Sequence, residues 1–154
     1  MTHSPSPLEG SAADRVAALT PENPYLSTER KPRLLIVGAG MMGREHLRVS
    51  QLLGWADVQG IVDPDGGSLE WACSDWRLLT DAPLTMYRDL SEACLDDAVD
   101  AIVIATPNHT HRDVLHAVAA SDKPVLLEKP MATTLADAMD IVNLARDYPA
   151  VIQL

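Results

Sequence analysis

Arg33-Leu34-Leu35-Ile36-Val37-Gly38-Ala39-Gly40-Met41-Met42-Gly43 is the stretch that decides how this chain folds. A short apolar run, Arg33 to Val37, reads as a buried strand. It is followed at once by a full G-x-G-x-x-G, and that motif opens a segment of helical period running through Leu47 to about Leu53. Each glycine has a separate physical task in such a strand-turn-helix. Gly38 lets the chain turn tightly, Gly40 lets backbone amides approach a ligand, and Gly43 lets the helix lie close to the strand. The unpaired N–H groups at the helix start, including those of the intervening Met41 and Met42, meet the positive end of the helix dipole. A pyrophosphate can sit there without any basic side chain. Gly38, Gly40, Met41, Met42 and Gly43 are therefore the candidate phosphate loop of a dinucleotide site.

Outward from that loop, the next apolar run is Val58 to Val62, and Asp63 ends it 20 residues beyond Gly43. An acid at that place is positioned to receive the ribose hydroxyls of a bound dinucleotide. Asp63-Pro64-Asp65-Gly66-Gly67 also has the composition of a turn, and the two readings are compatible. No Arg or Lys follows Asp63 until Arg77, so a ribose 2′-phosphate would meet carboxylates, and the reading favours NAD over NADP.

The remaining sequence alternates short apolar runs with helical periods, the pattern of repeated strand-helix-strand units. Further strands are expected near Thr85 to Tyr87, at Ala101 to Ala105, at Val125 to Leu127, and from Ala150 to the chain end. Leu69, Ala72, Cys73 and Trp76 share one helical face, and Leu135, Ala138, Met139 and Val142 share another; each stripe is expected to pack on the sheet. Asp89 with Glu92, Thr110 with Asp113 and Thr134 with Asp137 have capping-box spacing. The fold class that follows is α/β, a doubly wound parallel sheet of Rossmann type, as a single domain over residues 32–154. Residues 1–31, rich in Ser, Pro, Ala and Glu, read as a disordered tail in which Ala12 to Leu19 forms at most a transient helix.

Bulk properties narrow the partners. A chain of 154 residues holds one domain with a substantial core, and its 47% apolar and 22% charged content is ordinary globular usage. Asp and Glu outnumber Lys and Arg by 22 to 12, which repels phosphate backbones and anionic membrane surfaces alike. Only 4% of residues are aromatic and none is Phe, leaving few rings on which bases would stack. No apolar stretch approaches the roughly 18 residues needed to cross a bilayer, and no signal-peptide pattern is present, so a cytoplasmic protein is expected. Cys73 and Cys94 lack the spacing of a metal or redox motif and read as buried helix residues.

Two later segments make the reading specific: Ala105-Thr106-Pro107-Asn108-His109-Thr110-His111 after the fourth strand and Glu128-Lys129-Pro130 after the fifth. With the glycine loop, and in this order, they resemble the N-terminal domain of the Gfo/Idh/MocA oxidoreductase family, over Arg33 to Leu154. The resemblance implies that Thr106, Pro107 and Asn108 line the dinucleotide groove, with His111 opening the next helix beside it. It further implies that Lys129 reaches the nicotinamide ribose and the substrate as the candidate catalytic group, and that the substrate is a sugar, polyol or related hydroxyl compound. Glu128 is placed with the cofactor-binding set, to hold Lys129 or the ribose, or to cap the helix that begins near Thr134. His46 also fits the family pattern but is read as structural. His109, His111 and His116 lack the i, i+4 pairing of a zinc site, so no metal is expected.

Members of that family normally continue into a second α/β domain that supplies substrate contacts. The chain is therefore expected to be a truncated, dinucleotide-binding half with little activity of its own. The alternative is a stand-alone dinucleotide-binding module. Methyltransferases and nucleotide-sugar enzymes share such glycine loops, but the Glu128-Lys129-Pro130 segment speaks against them.

Overall fold

The computed structural model describes residues 30–154, and Pro32–Leu154 forms one compact unit. The expected tail, apart from Arg30 and Lys31, and the expected helix at Ala12 to Leu19 lie outside the described residues. Among the described residues six strands, β1 (Arg33–Val37), β2 (Asp57–Val62), β3 (Thr85–Tyr87), β4 (Ala101–Ile104), β5 (Val125–Leu127) and β6 (Ile152–Gln153), alternate with five α-helices. The helices are α1 (Met41–Leu53), α2 (Gly66–Leu79), α3 (Leu90–Leu95), α4 (His111–Val118) and α5 (Leu135–Asp147), and short 3₁₀ turns occupy Asn108–Thr110 and Ala119–Ser121.

All strand pairs are parallel, in the order β3-β2-β1-β4-β5-β6. The chain thus winds outward from β1 in one direction and then, through β4, in the other. At that reversal the loops after β1 and β4 diverge to opposite faces and leave a crevice at the carboxyl ends of the strands. Because side chains alternate along a strand, each strand feeds two cores. Leu35, Val37, Ile102 and Ile104 belong to one cluster, with Leu115, Val118 and Ile141 of the covering helices. Ile36, Ile61 and Val103 belong to the other, with Leu47, Leu69, Ala72 and Trp76. The α2 stripe thus packs as its periodicity predicts. Cys73 and Cys94 are buried free thiols, and burial pushes the Cys94 thiol up to about 11, which leaves it without the thiolate that reactivity requires.

Three expectations are corrected. Leu135, Met139 and Val142 do not pack on the sheet: they are 80%, 53% and 42% exposed, and α5 instead buries Ile141, with Leu144 packed against the same core. The helix carries two apolar stripes separated by roughly a third of a turn, and periodicity does not say which one docks. Ile141→Ala is accordingly expected to cost about 2–5 kcal/mol and Met139→Ala less than about 0.5 kcal/mol in urea unfolding. Comparable losses for the two variants would mean that α5 docks through the other stripe. Thr110 does not cap α4. Its hydroxyl instead lies 2.9 Å from the Thr106 hydroxyl and donates to the Pro107 carbonyl at 2.8 Å. Asp89 and Thr134 do cap their helices, and so does Asp65, which accepts from the Ser68 N–H. The final strand spans only Ile152–Gln153, which pair with Val125 and Leu126 of β5.

Candidate functional site

The protein's own packing accounts for two of the three glycines in the loop. Gly38 has φ 102°, its N–H donates to the Val62 carbonyl at 2.8 Å, and a Cβ there would lie 2.7 Å from the Ala105 carbonyl oxygen. A Cβ on Gly43 would overlap the Gly38 carbonyl oxygen, so α1 lies against the turn with no room for a side chain. Gly40 differs: its backbone is extended, and a Cβ would meet nothing within 4 Å. The protein's own atoms do not require glycine at position 40. That position opens on a cleft of about 780 Å³ lined by Val37, Gly38, Gly40, Met41, Met42 and Asp63, among others. As no side chain caps the start of α1, its first-turn N–H groups remain available to a ligand.

Asp63 closes this loop from the end of β2. One carboxylate oxygen accepts from the Ala39 N–H at 2.8 Å and the other from the Asp65 N–H, also at 2.8 Å. Each oxygen keeps a further lone pair. The carboxylate is therefore held still while it remains able to accept from ribose hydroxyls.

From β4, Thr106 and Pro107 line the same cleft, whereas Asn108 begins the 3₁₀ turn just behind them and is not part of its wall. His111 needs correction as a groove residue. It is wholly buried, with Nδ1 3.1 Å from the Pro130 carbonyl oxygen and Nε2 3.0 Å from that of Thr106. Its ring ties the loop after β4 to the loop after β5 instead of facing a ligand. A neutral imidazole donates one N–H, so removing the ring in His111→Ala strands one buried carbonyl, at about 1–3 kcal/mol, and leaves the space of the ring unfilled in the interior. Thermal unfolding should show a total loss of about 3 kcal/mol or more, and a loss below about 1 kcal/mol would mean that the two loops do not depend on this link.

Glu128 and Lys129 stand past the end of β5, outside the cleft wall. Glu128 neither caps α5 nor is left to solvent: Oε1 lies 2.9 Å from His46 Nε2, and Oε2 accepts from the Lys129 N–H at 3.1 Å. Burial opposes its charge, but these two bonds and the nearby cations hold its carboxyl below the usual value. His46 therefore anchors the Glu128-Lys129-Pro130 turn to the phosphate-loop helix, a role the sequence reading did not assign. The Lys129–Pro130 peptide is cis. The other two histidines disperse: His116 joins Asp140 at 2.9 Å on the surface, and His109 lies in the 3₁₀ turn. Among the described residues no group of three or more His, Cys, Asp or Glu is placed to hold a metal ion.

The sequence reading missed Ser68, Arg88, Leu90 and Val114, all of which line the cleft. Arg88 was passed over because it is remote from Asp63 along the chain. Parallel pairing sets Val62 opposite Tyr87, so the residues that follow, Asp63 and Arg88, emerge at the same rim. Only that register reveals the neighbourhood.

The cleft fits NAD on the chain's own geometry, with uncapped amides and open space at Gly40 for a diphosphate and a fixed carboxylate at Asp63 for a ribose. Comparison with known proteins agrees. Residues 32–154 match the Gfo/Idh/MocA oxidoreductase family, NAD-binding Rossmann fold. An inositol 2-dehydrogenase of Leifsonia xyli subsp. xyli is 34% identical over 121 residues, which are 77% of this chain and 34% of that protein. The rhizopine catabolism protein MocA of Rhizobium meliloti is 31% identical over 79% of this chain and 36% of its own length. Among solved structures, the myo-inositol dehydrogenase of Lactobacillus casei in complex with NAD(H) and myo-inositol aligns with a TM-score of 0.69 at 28% identity, covering 80% of this chain and 36% of that one. The chain thus spans about a third of the length of the relatives it matches. With fold, loop and match in agreement, the chain belongs to the Gfo/Idh/MocA oxidoreductase family, whose NAD-binding Rossmann fold residues 32–154 form.

Proposed function

We propose that this chain holds NAD(H) for hydride exchange with a secondary hydroxyl of a polyol or sugar, inositols being the first candidates. The observation that carries the reading is that the Glu128-Lys129-Pro130 turn is tied to both walls of the dinucleotide site. His46 grips it through Glu128, and His111 grips it through the Pro130 carbonyl. A turn fixed in this way presents Lys129 at a constant place relative to the phosphate loop. When bound, the nicotinamide supplies the hydride donor or acceptor. Lys129 then orients the reacting hydroxyl and stabilises negative charge as it develops on that oxygen. Gly38, Gly40, Met41, Met42 and Gly43 receive the diphosphate, Asp63 the adenosine ribose, and Thr106 and Pro107 the segment toward the nicotinamide, with Asn108 in the turn behind them. Glu128 and His111 serve by positioning. The names of the relatives support the substrate class.

Turnover also needs the substrate held at near-attack distance, with a proton acceptor on its hydroxyl. We assign that part to sequence corresponding to the remaining two-thirds of the relatives, so that residues 32–154 by themselves bind the dinucleotide without turning over substrate. The acidic balance, net charge −10, makes a small molecule a better partner than nucleic acid or an anionic membrane. Among the described residues no helix is long and apolar enough to cross a membrane, and a site for a nicotinamide dinucleotide accords with a place in the cytoplasm.

The test is a fluorescence titration of the purified chain with NADH, followed by an assay for NAD reduction with myo-inositol. Saturable binding without turnover is the expected result. A folded chain that does not bind NADH would refute the site, and inositol oxidation by this chain alone would refute the need for a second part.

A further inference from the structure

Arg88 is an exposed arginine on the wall of the cleft, in the company of Asp63, Pro64 and Ser68. A Cβ built on Gly66 would lie 3.4 Å from Nη2 and 3.9 Å from Cζ of Arg88. The guanidinium therefore rests beside the turn that follows Asp63, not out in solvent beyond the rim. Four other arginines are ion-paired, and Arg77, which like Arg88 is not, lies away from the cleft wall. Arg33 pairs with Asp100, Arg44 with Asp75, Arg48 with Glu45, and Arg112 with Asp140. Among the described residues Arg88 has neither an ion-pair nor a hydrogen-bond partner. A guanidinium without a carboxylate keeps its full donor fork for an incoming anion, and that fork matches the oxygens of a phosphate.

This arrangement alters the expectation drawn from the sequence, in which no cation stands near Asp63. Two opposite charges share the adenosine end of the cleft. Asp63, fixed by two backbone N–H groups, favours a free ribose diol and repels a 2′-phosphate. Arg88 offers its donors to that same phosphate, while Ser68 beside it is engaged by the Asp65 carboxylate.

We propose that Arg88 is a cofactor-specificity residue that lets the groove accept NADP(H) as a second, weaker ligand beside NAD(H). This rests on the dinucleotide reading of the cleft. The preference between the two cofactors is then set by a balance of Asp63 against Arg88. Stacking on the adenine is the other task open to a guanidinium here, but it would support both cofactors equally and leave their ratio unchanged.

The experiment measures dissociation constants of the full 154-residue chain for NADH and NADPH, in the parent protein, in Arg88→Ala, in Asp63→Asn and in the double variant, at two salt concentrations. The parent should bind both, with NADPH the weaker and the more salt-sensitive. Arg88→Ala should raise the NADPH-to-NADH ratio of dissociation constants about tenfold or more, one charge-assisted phosphate contact being lost. Asp63→Asn should lower that ratio, and more so with Arg88 present than in the double variant. A ratio unmoved by Arg88→Ala, whether both affinities fall or neither does, would overturn the specificity role while leaving the cleft as a dinucleotide site. Failure of the folded parent to bind NADH would overturn the reading of the cleft, and this inference with it.

Discussion

Gly43→Ala is expected to destabilise the chain by about 3 kcal/mol or more and to abolish NADH binding, whereas Gly40→Ala should leave stability within about 0.5 kcal/mol and still lose at least about tenfold in affinity. The contrast follows from what a Cβ would meet. At Gly43 it overlaps the Gly38 carbonyl oxygen, a backbone atom that cannot swing aside. The start of α1 must then lift from the turn, and the amides aimed at the ligand move with it. At Gly40 the added methyl meets no protein atom within 4 Å, and the extended backbone is one that alanine adopts freely. The methyl instead enters space that a diphosphate needs. Urea unfolding and NADH titration of both variants separate the two effects. If Gly40→Ala retained the parent's affinity, the ligand would not approach the loop at that point.

A second large effect is expected at Asp63. Asp63→Ala removes the acceptor for the Ala39 and Asp65 N–H groups, and with it the proposed acceptor for the ribose hydroxyls. Hydrogen bonds to a charged group contribute about 1.5–3 kcal/mol each. The loss of two to the ribose, with a loosened phosphate loop in addition, corresponds to a fall in NADH affinity of about 100-fold or more. Asp63→Asn keeps one carbonyl oxygen and should fall between the parent and the alanine variant. An alanine variant that binds NADH within about threefold of the parent would exclude this carboxylate from the site.

Much of the fold was readable because its signals are local and repeated. β1 and the glycine loop lie in one unbroken stretch, and Gly43 there answers to the Gly38 carbonyl five positions earlier. The capping pairs at Asp89 and Thr134 are three residues apart and satisfy their backbone donors as the spacing requires. Where local chemistry offered a choice, the reading erred. Thr110 has the spacing of a cap, but its hydroxyl is taken by Pro107 and Thr106. Nothing in the sequence says that His111, adjacent to Thr110, turns into the core to lie between carbonyls of two separate loops, or that His46 reaches Glu128 across 82 positions.

The sequence alone thus determined the strand-helix alternation, the parallel sheet, the phosphate loop and the acid at the end of β2. These depend on periodicity, on the missing side chains of glycine and on spacing within one strand-helix-strand unit. The tertiary structure decided which face of α5 docks, which residues hold the Glu128-Lys129-Pro130 turn, and that Arg88 shares the cleft wall with Asp63. Those outcomes depend on strand register and on competition between alternative packings and hydrogen-bond partners. Such contacts join residues distant in the chain, and no short-range pattern encodes them.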